Sequence, residues 1–165
     1  MARFVLIRRT PLPPAECWER LTVWPRHGDR VPFTRVCVVR GTGRESGDVL
    51  LARTTLGPLR FDDPMEIAEL VAPGPGRDGR CRLVKRGDPV HGWAELQVRA
   101  VGGGSAAVWT EELTVTGLPR LLDPALARAG RLVFGRVLDH LLGPWAAAAP
   151  RCRRTSPPAT GAEPG

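Results

Sequence analysis

The sequence predicts an α+β fold: a curved antiparallel sheet of six to seven strands wrapped around a long C-terminal helix, with two short helices after the first strand. Three observations point there. Short stretches of alternating apolar and polar residues recur between Gly and Pro clusters, the pattern of antiparallel strands joined by turns. The 19 Gly and 17 Pro among 165 residues, about twice the usual combined usage, argue against a helix bundle or coiled coil. Near the end, one long amphipathic segment must lay its apolar face on something, and the sheet is the only large partner the chain offers. The length suits one compact domain with one core.

The elements follow in order. A first strand covers Arg3 to Thr10. Pro13 and Pro14 then open a helical segment from Ala15 to Leu21, with Trp18 and Leu21 on one side. A second short helix or turn covers Pro25 to Arg30. Strands are expected at Thr34 to Arg40, Asp48 to Leu56, Arg60 to Val71, Arg80 to Gly87, Gly92 to Val101 and Ala107 to Thr116. Between them lie Gly41 to Gly43, Gly57-Pro58, Pro73 to Gly79, Gly87-Asp88-Pro89 and Gly102 to Ser105. Asp123-Pro124 reads as an N-cap followed by proline at the first helical position, opening a helix to Leu142 that Gly143-Pro144 closes. At about 100° per residue, Leu122, Leu126, Ala129, Gly130, Val133, Phe134, Val137 and Leu141 form its apolar arc. Arg128, Arg131, Gly135 and Asp139 fall opposite. Residues 1–145 are read as the domain and 146–165, rich in Ala, Pro, Ser and Arg, as a disordered tail.

The formal charge of +7 is the balance of 24 basic residues, of which Lys85 is the one lysine, against 17 acidic ones, and the sequence has no Tyr. The positive charges are dispersed singly and do not gather into a stripe, which disfavours a nucleic-acid partner. Arginines on the outer face leave docking on an acidic protein as a further possibility. The cysteines Cys17, Cys37, Cys81 and Cys152 form no C-x-x-C pair, so no zinc or haem site has spacing to stand on. The N-terminal apolar run, Phe4 to Ile7, is far short of a signal-peptide core or a membrane span. The expected home is a reducing cytoplasm. Nothing in the chain sets the oligomeric state.

Several local patterns, "PPAECWERLTVWPRHGDRVPFTRV", "GDVLLARTTLGPLRFDDPMEI", "LVKRGDPVHGWAELQV" and "AVWTEELTV" leading into the amphipathic helix, resemble the START-like superfamily, also called the helix-grip or polyketide cyclase/dehydrase-like (SRPBCC) proteins. The resemblance covers about residues 1–145. Val23-Trp24 stands where members often carry an Asp-Trp pair. The resemblance implies a deep hydrophobic cavity between sheet and long helix that binds a lipid, polyketide, isoprenoid or similar apolar molecule. The alternative within the same resemblance is a polyketide aromatase/cyclase acting on a poly-β-ketone intermediate. No cofactor or metal is called for.

Successive strand residues point to opposite faces, so apolarity chooses the set that faces such a cavity. In the seventh strand Trp109, Glu111, Leu113 and Val115 form the more apolar set. The fifth supplies Cys81, Leu83 and Lys85, and the sixth Ala94, Leu96, Val98 and Ala100. The fourth offers Phe61, Asp63, Met65 and Ile67, although Pro64 suggests an edge or bulge that reverses the parity. Arg53 alternates with Ala52 and Thr54, and its side is undecided. The expected ligand-binding residues are therefore Phe61, Met65, Leu83, Lys85, Trp109 and Glu111 from the sheet. Leu126, Gly130, Val133, Phe134 and Val137 join them from the helix.

Candidate catalytic groups are Glu111, Lys85 and His140. Inside the cavity, Glu111 and Lys85 need each other, water or a ligand polar group; at its mouth both are solvated and inert. His140 falls inside the helix arc, either as a proton carrier or as a satisfied core histidine. His27 and His91 read as surface groups. Gly130 either admits the sheet closely or leaves space for a ligand. Gly74 to Gly79 formally matches G-x-G-x-x-G, but Pro73, Pro75 and the strand that follows make it a hairpin loop. No serine-hydrolase elbow, Walker loop or H-E-x-x-H appears. Asp62 and Asp63 are adjacent on a strand and point apart.

Overall fold

The computed structural model describes residues 1–88 and 90–143. Seven strands form one antiparallel sheet in the order β1-β7-β6-β5-β4-β3-β2. They are β1 (Ala2–Thr10), β2 (Thr34–Arg40), β3 (Val49–Leu56), β4 (Leu59–Val71), β5 (Gly79–Arg86), β6 (Val90–Val101) and β7 (Gly104–Val115). Helix α1 (Pro14–Leu21) and a 3₁₀ stretch (Trp24–Arg30) connect β1 to β2, so the first and second strands occupy opposite edges of the sheet. A 3₁₀ turn (Arg120–Leu122) leads into α2 (Asp123–Leu142). This is the expected α+β architecture, a sheet closed around its last helix. The expected tail, 146–165, and the last residues of the expected domain lie outside the described residues.

Alternation explains the sheet. β7 buries Ser105, Ala107, Trp109, Glu111 and Leu113 in turn, and β6 buries Ala94, Leu96 and Val98, while Ala100 near the hairpin tip is exposed, contrary to expectation. The largest boundary difference is at β7, which opens at Gly104 instead of Ala107. The two-residue turn Gly102-Gly103, with Gly103 at φ +83°, lets the ladder continue to Val101↔Gly104. Pro64 lies in regular register opposite Leu51, one residue before the β5 ladder begins at Met65↔Lys85. Its missing N–H thus interrupts no pairing there, β4 is not an edge, and the irregularity falls between Ile67 and Glu69. The Gly74–Gly79 loop is a tight turn in which Gly74 and Arg77 exchange backbone hydrogen bonds of 3.0 Å.

The helix departs from its expected cap and its expected face. Asp123 is the first helical residue, not the N-cap; the preceding 3₁₀ turn makes Leu122 the cap, without a side-chain bond. Leu122 and Ala129 are exposed, whereas Gly135, Val137, Leu138 and Leu141 are buried. The rotation follows from what α2 lies on, chiefly β1 and the 3₁₀ stretch before β2. Arg8 reaches from β1 across Gly135 to bond Asp139 at 2.6 Å. A Cβ at Gly130 would stand 2.4 Å from Phe4 Cε1, so this glycine serves close approach of helix and strand and leaves no ligand space. No helix among the described residues is long and apolar enough to cross a membrane.

Candidate functional site

The core is filled where α2 meets β1 and hollow farther across the sheet. A cavity of about 170 Å³ lies under the concave face between β2–β7, the 3₁₀ stretch and α2. Its wall is mostly apolar. Val36, Leu50, Ala52, Met65, Leu83 and Ala94 form the sheet side, and Trp24, Val31, Phe61, Trp109 and Phe134 close the rest. Three aromatic rings and His27 run in sequence across it. Phe134 lies 4.8 Å from Trp109, Trp109 5.5 Å from His27, and His27 5.4 Å from Trp24, centroid to centroid.

Trp24 is fixed from behind. The Asp48 carboxylate accepts the backbone N–H groups of Thr42, Gly43, Arg44 and Glu45, folding the β2–β3 loop around one oxygen. Burial pushes this carboxyl up, and the four amides outweigh it, leaving it below the usual range. The loop thereby presents Gly43 O to the indole N–H of Trp24 at 2.7 Å. Gly43 sits at φ +77°, with its Cβ position 2.8 Å from the same indole, so only glycine suits it.

One end of the cavity is ionic. Lys85 Nζ lies 2.7 Å from Asp63 Oδ2 and 3.3 Å from Glu111 Oε1, while Trp109 Nε1 donates to Glu111 Oε2 at 3.1 Å. Asp63 is 9% and Glu111 1% exposed, and the Lys85 side chain 6%. Burial alone would depress the Lys85 ammonium, but the two carboxylates outweigh it and hold its pKa above the ordinary value. Burial raises the Glu111 carboxyl, and Lys85 and the indole only partly offset this. Glu111, its carboxyl raised by burial, thus stands beside the Lys85 ammonium, an arrangement suited to hydrogen bonding or proton exchange with an occupant. Asp62, the sequence neighbour of Asp63, points to the outer face, where hydrogen bonds from Arg53 and Arg60 hold its carboxyl down at about 2. Arg53 accordingly faces outward, and Ala52 and Thr54 line the cavity.

Of the residues expected from sequence, Phe61, Met65, Leu83, Lys85, Trp109, Glu111 and Phe134 meet at this cavity. Leu126, Gly130, Val133 and Val137 do not line it. They lie along the helix where β1 already fills the space, and Val137 is fully buried in the core. His140 is also elsewhere: its Nε2 lies 3.1 Å from Asp29 Oδ2, tying α2 to the 3₁₀ stretch. His27, read from sequence as a surface group, is 7% exposed and lines the cavity. Its Nε2 lies 2.8 Å from Leu21 O. A carbonyl only accepts, so Nε2 carries the proton and Nδ1 is the ring's acceptor. Burial pushes the imidazole down to about 4, against the Leu21 carbonyl and Asp29, which favour its cation. The sequence did hold a signal for it: in a 3₁₀ stretch, positions three apart stand on one face, and Trp24 and His27 are three apart.

No family model matches the chain, and no curated protein matches it in sequence. Solved structures do match in shape. The crystal structure of Ara h 8.0201 superposes with a TM-score of 0.59 at 15% identity, covering 85% of this chain and 97% of that one. A protein of Chromobacterium violaceum gives 0.60 at 16%, covering 86% and 97%. An AHSA1-like protein of Aeromonas hydrophila gives 0.55 at 15%, covering 84% and 88%. At such identities the likeness is one of fold alone, a helix-grip fold of the START/SRPBCC-like kind.

Proposed function

We propose that the protein binds a compact hydrophobic molecule in the cavity under its sheet. The observation that carries this reading is a partly open space of about 170 Å³ with a mostly apolar wall, to which Trp24, Phe61, Trp109 and Phe134 contribute rings, and a single ionic end. Dry apolar cavities of about 150 Å³ accommodate a benzene-sized guest, so the occupant suited to this form is one ring or a short branched chain. A full acyl chain or a long isoprenoid needs more space. The free thiols of Cys17 and Cys81 support a reducing, cytoplasmic setting. Incubation with lipid and polyketide extracts followed by native mass spectrometry tests the reading. A one-to-one adduct of low mass is expected, and an unliganded mass throughout overturns it.

Glu111 beside Lys85 favours a second reading, an aromatase/cyclase in which the carboxyl and ammonium move protons on a β-ketone substrate. The small volume weighs against it, because a poly-β-ketone chain outgrows the space. Cyclisation that persists after Glu111→Gln and Lys85→Met together would exclude it.

A further inference from the structure

We infer that the end of the molecule around the cavity mouth docks on an anionic lipid bilayer, its apolar side chains entering the headgroup region and its arginines meeting lipid phosphates. This goes beyond the binding function proposed above and does not depend on it. Because the sheet is antiparallel, the connections before β2, between β3 and β4, and from β7 to α2 all lie at one end. Most of the large apolar side chains that stay exposed on the described residues stand there. Among them are Phe33 before β2, Leu56 and Leu59 flanking the β3–β4 turn, and Leu118, Leu121 and Leu122 ahead of α2. Scattered exposed leucines are ordinary, but such a gathering at one end marks a contact surface.

Phe33 projects outward against its own backbone preference. It is 70% exposed and sits at φ +58°, a left-handed conformation rare for an aromatic residue. The Thr55 N–H holds it there by donating to Phe33 O at 2.9 Å. At that exposure, packing within the chain does not offset the strain, and strain of this kind clusters where a residue serves a contact. Phe61 ties the surface to the cavity. It is the one exposed residue of the cavity lining, and it stands on β4 two positions after Leu59. The mouth therefore opens among the same apolar residues. A bilayer laid over them continues the apolar wall, whereas a protein partner would cover the opening.

Charge selects an anionic surface. Dispersed singly along the sequence, arginines nevertheless mark every connection at this end: Arg30 before β2, Arg60 beside Leu59, Arg86 at the end of β5 and Arg120 beside Leu121, all exposed. Arg60 and Arg86 each hold one carboxylate, whereas Arg30 and Arg120 form no ion pair among the described residues. Of the acidic residues in or beside these connections, Asp29, Asp62 and Asp123 are already ion-paired, which leaves Asp88. Apolar side chains with guanidinium groups beside them suit the boundary of a bilayer, where the first enter the acyl region and the second bond phosphates. A second copy of the chain would instead bring one basic end against another.

The test uses the whole chain and vesicles of phosphatidylcholine, alone or mixed with phosphatidylserine, read by co-sedimentation. Binding is expected to be about tenfold or more tighter to the mixed vesicles and to weaken as salt is raised. Phe33→Gly with Leu121→Ser is expected to weaken it by about tenfold or more. The melting temperature should not fall, because glycine relieves the backbone at position 33. Arg30→Gln with Arg120→Gln is expected to cost about tenfold on mixed vesicles and little on neutral ones. Leu132→Ser, on an exposed position of α2 beyond this end, should change nothing. No binding to mixed vesicles, equal binding to both kinds, or an equal loss with Leu132→Ser overturns the inference. So does a dimer that Phe33→Gly with Leu121→Ser dissociates, since the surface then belongs to a second copy. The comparison of the two vesicle types on the unsubstituted protein decides the matter even if a variant does not fold. The adduct measurement above is separate: an unliganded mass together with firm vesicle binding removes the cavity's function and leaves the docking, and the converse removes the docking alone.

Discussion

Lys85 and Glu111 meet at 3.3 Å although a whole strand lies between them. On β6 the residues paired with Lys85 and Glu111 are Gly92 and Ala94, whose small size leaves the space above that strand open. The ion pair and the cavity thus share one cause, a low row in the middle of the sheet. Removing the ammonium leaves two buried carboxylates uncompensated. Lys85→Met is expected to destabilise the protein by about 3–5 kcal/mol, read by urea denaturation at neutral pH. Adding Asp63→Asn and Glu111→Gln should restore most of the loss. A stability unchanged by Lys85→Met would mean that the trio is solvated.

His27 makes stability depend on pH in a defined direction. Its folded pKa, about 4, is below the ordinary 6.5, so between these values the unfolded chain binds more protons than the folded one. Its contribution is whole above pH 6.5 and is lost as pH falls toward 4, by about 3 kcal/mol from the 2.5-unit difference. The raised Glu111 carboxyl works in the opposite sense, since protonation relieves its burial as pH falls. The prediction is therefore a difference: His27→Phe is expected to lose less stability than the native protein between pH 7 and 4. Parallel stability curves for the two proteins would show that the imidazole is already solvated.

Gly130 shows a packing constraint overriding helix propensity. In an exposed helix Gly→Ala stabilises by about 1 kcal/mol, yet here the added carbon meets the Phe4 ring at 2.4 Å. Gly130→Ala should destabilise by about 1–3 kcal/mol, and combining it with Phe4→Leu should cost less than the sum of the two single changes. Strict additivity in the denaturation free energies would refute the contact.

These cases mark what the chain disclosed and what it withheld. Strand parity was legible because burial on one face imposes a period of two: Trp109, Glu111, Leu83 and Lys85 fell on the concave side as the alternation required. The helix face was less so. An apolar arc says which residues prefer burial, not where a neighbouring strand sends Arg8, and Gly135 is buried by that guanidinium. Asp63 stayed ambiguous because Pro64 mimicked a bulge, and the register that absorbs the proline is a property of β5's length. The extent of the hollow was not legible at all, since it depends on β1 and Phe4 filling the helix half of the core.

Whether the space under the sheet is a working pocket or merely loose packing is decided by filling it. Ala52 on β3 lines the cavity with Leu50 and Met65 around it, and a leucine there would extend into open volume. If the space is surplus to the fold, added methylenes gain buried contact without displacing the core, because a cavity's cost scales with its volume. Ala52→Leu is expected to leave the melting temperature unchanged or raised by a few degrees, and to weaken binding of benzene-sized probes by at least about tenfold, roughly 1.4 kcal/mol. Calorimetric melting and probe titration on the same preparation check both. A lower melting temperature with undiminished probe binding would show that Ala52 is close-packed and that the probe sits elsewhere, and the functional reading would then lose its site.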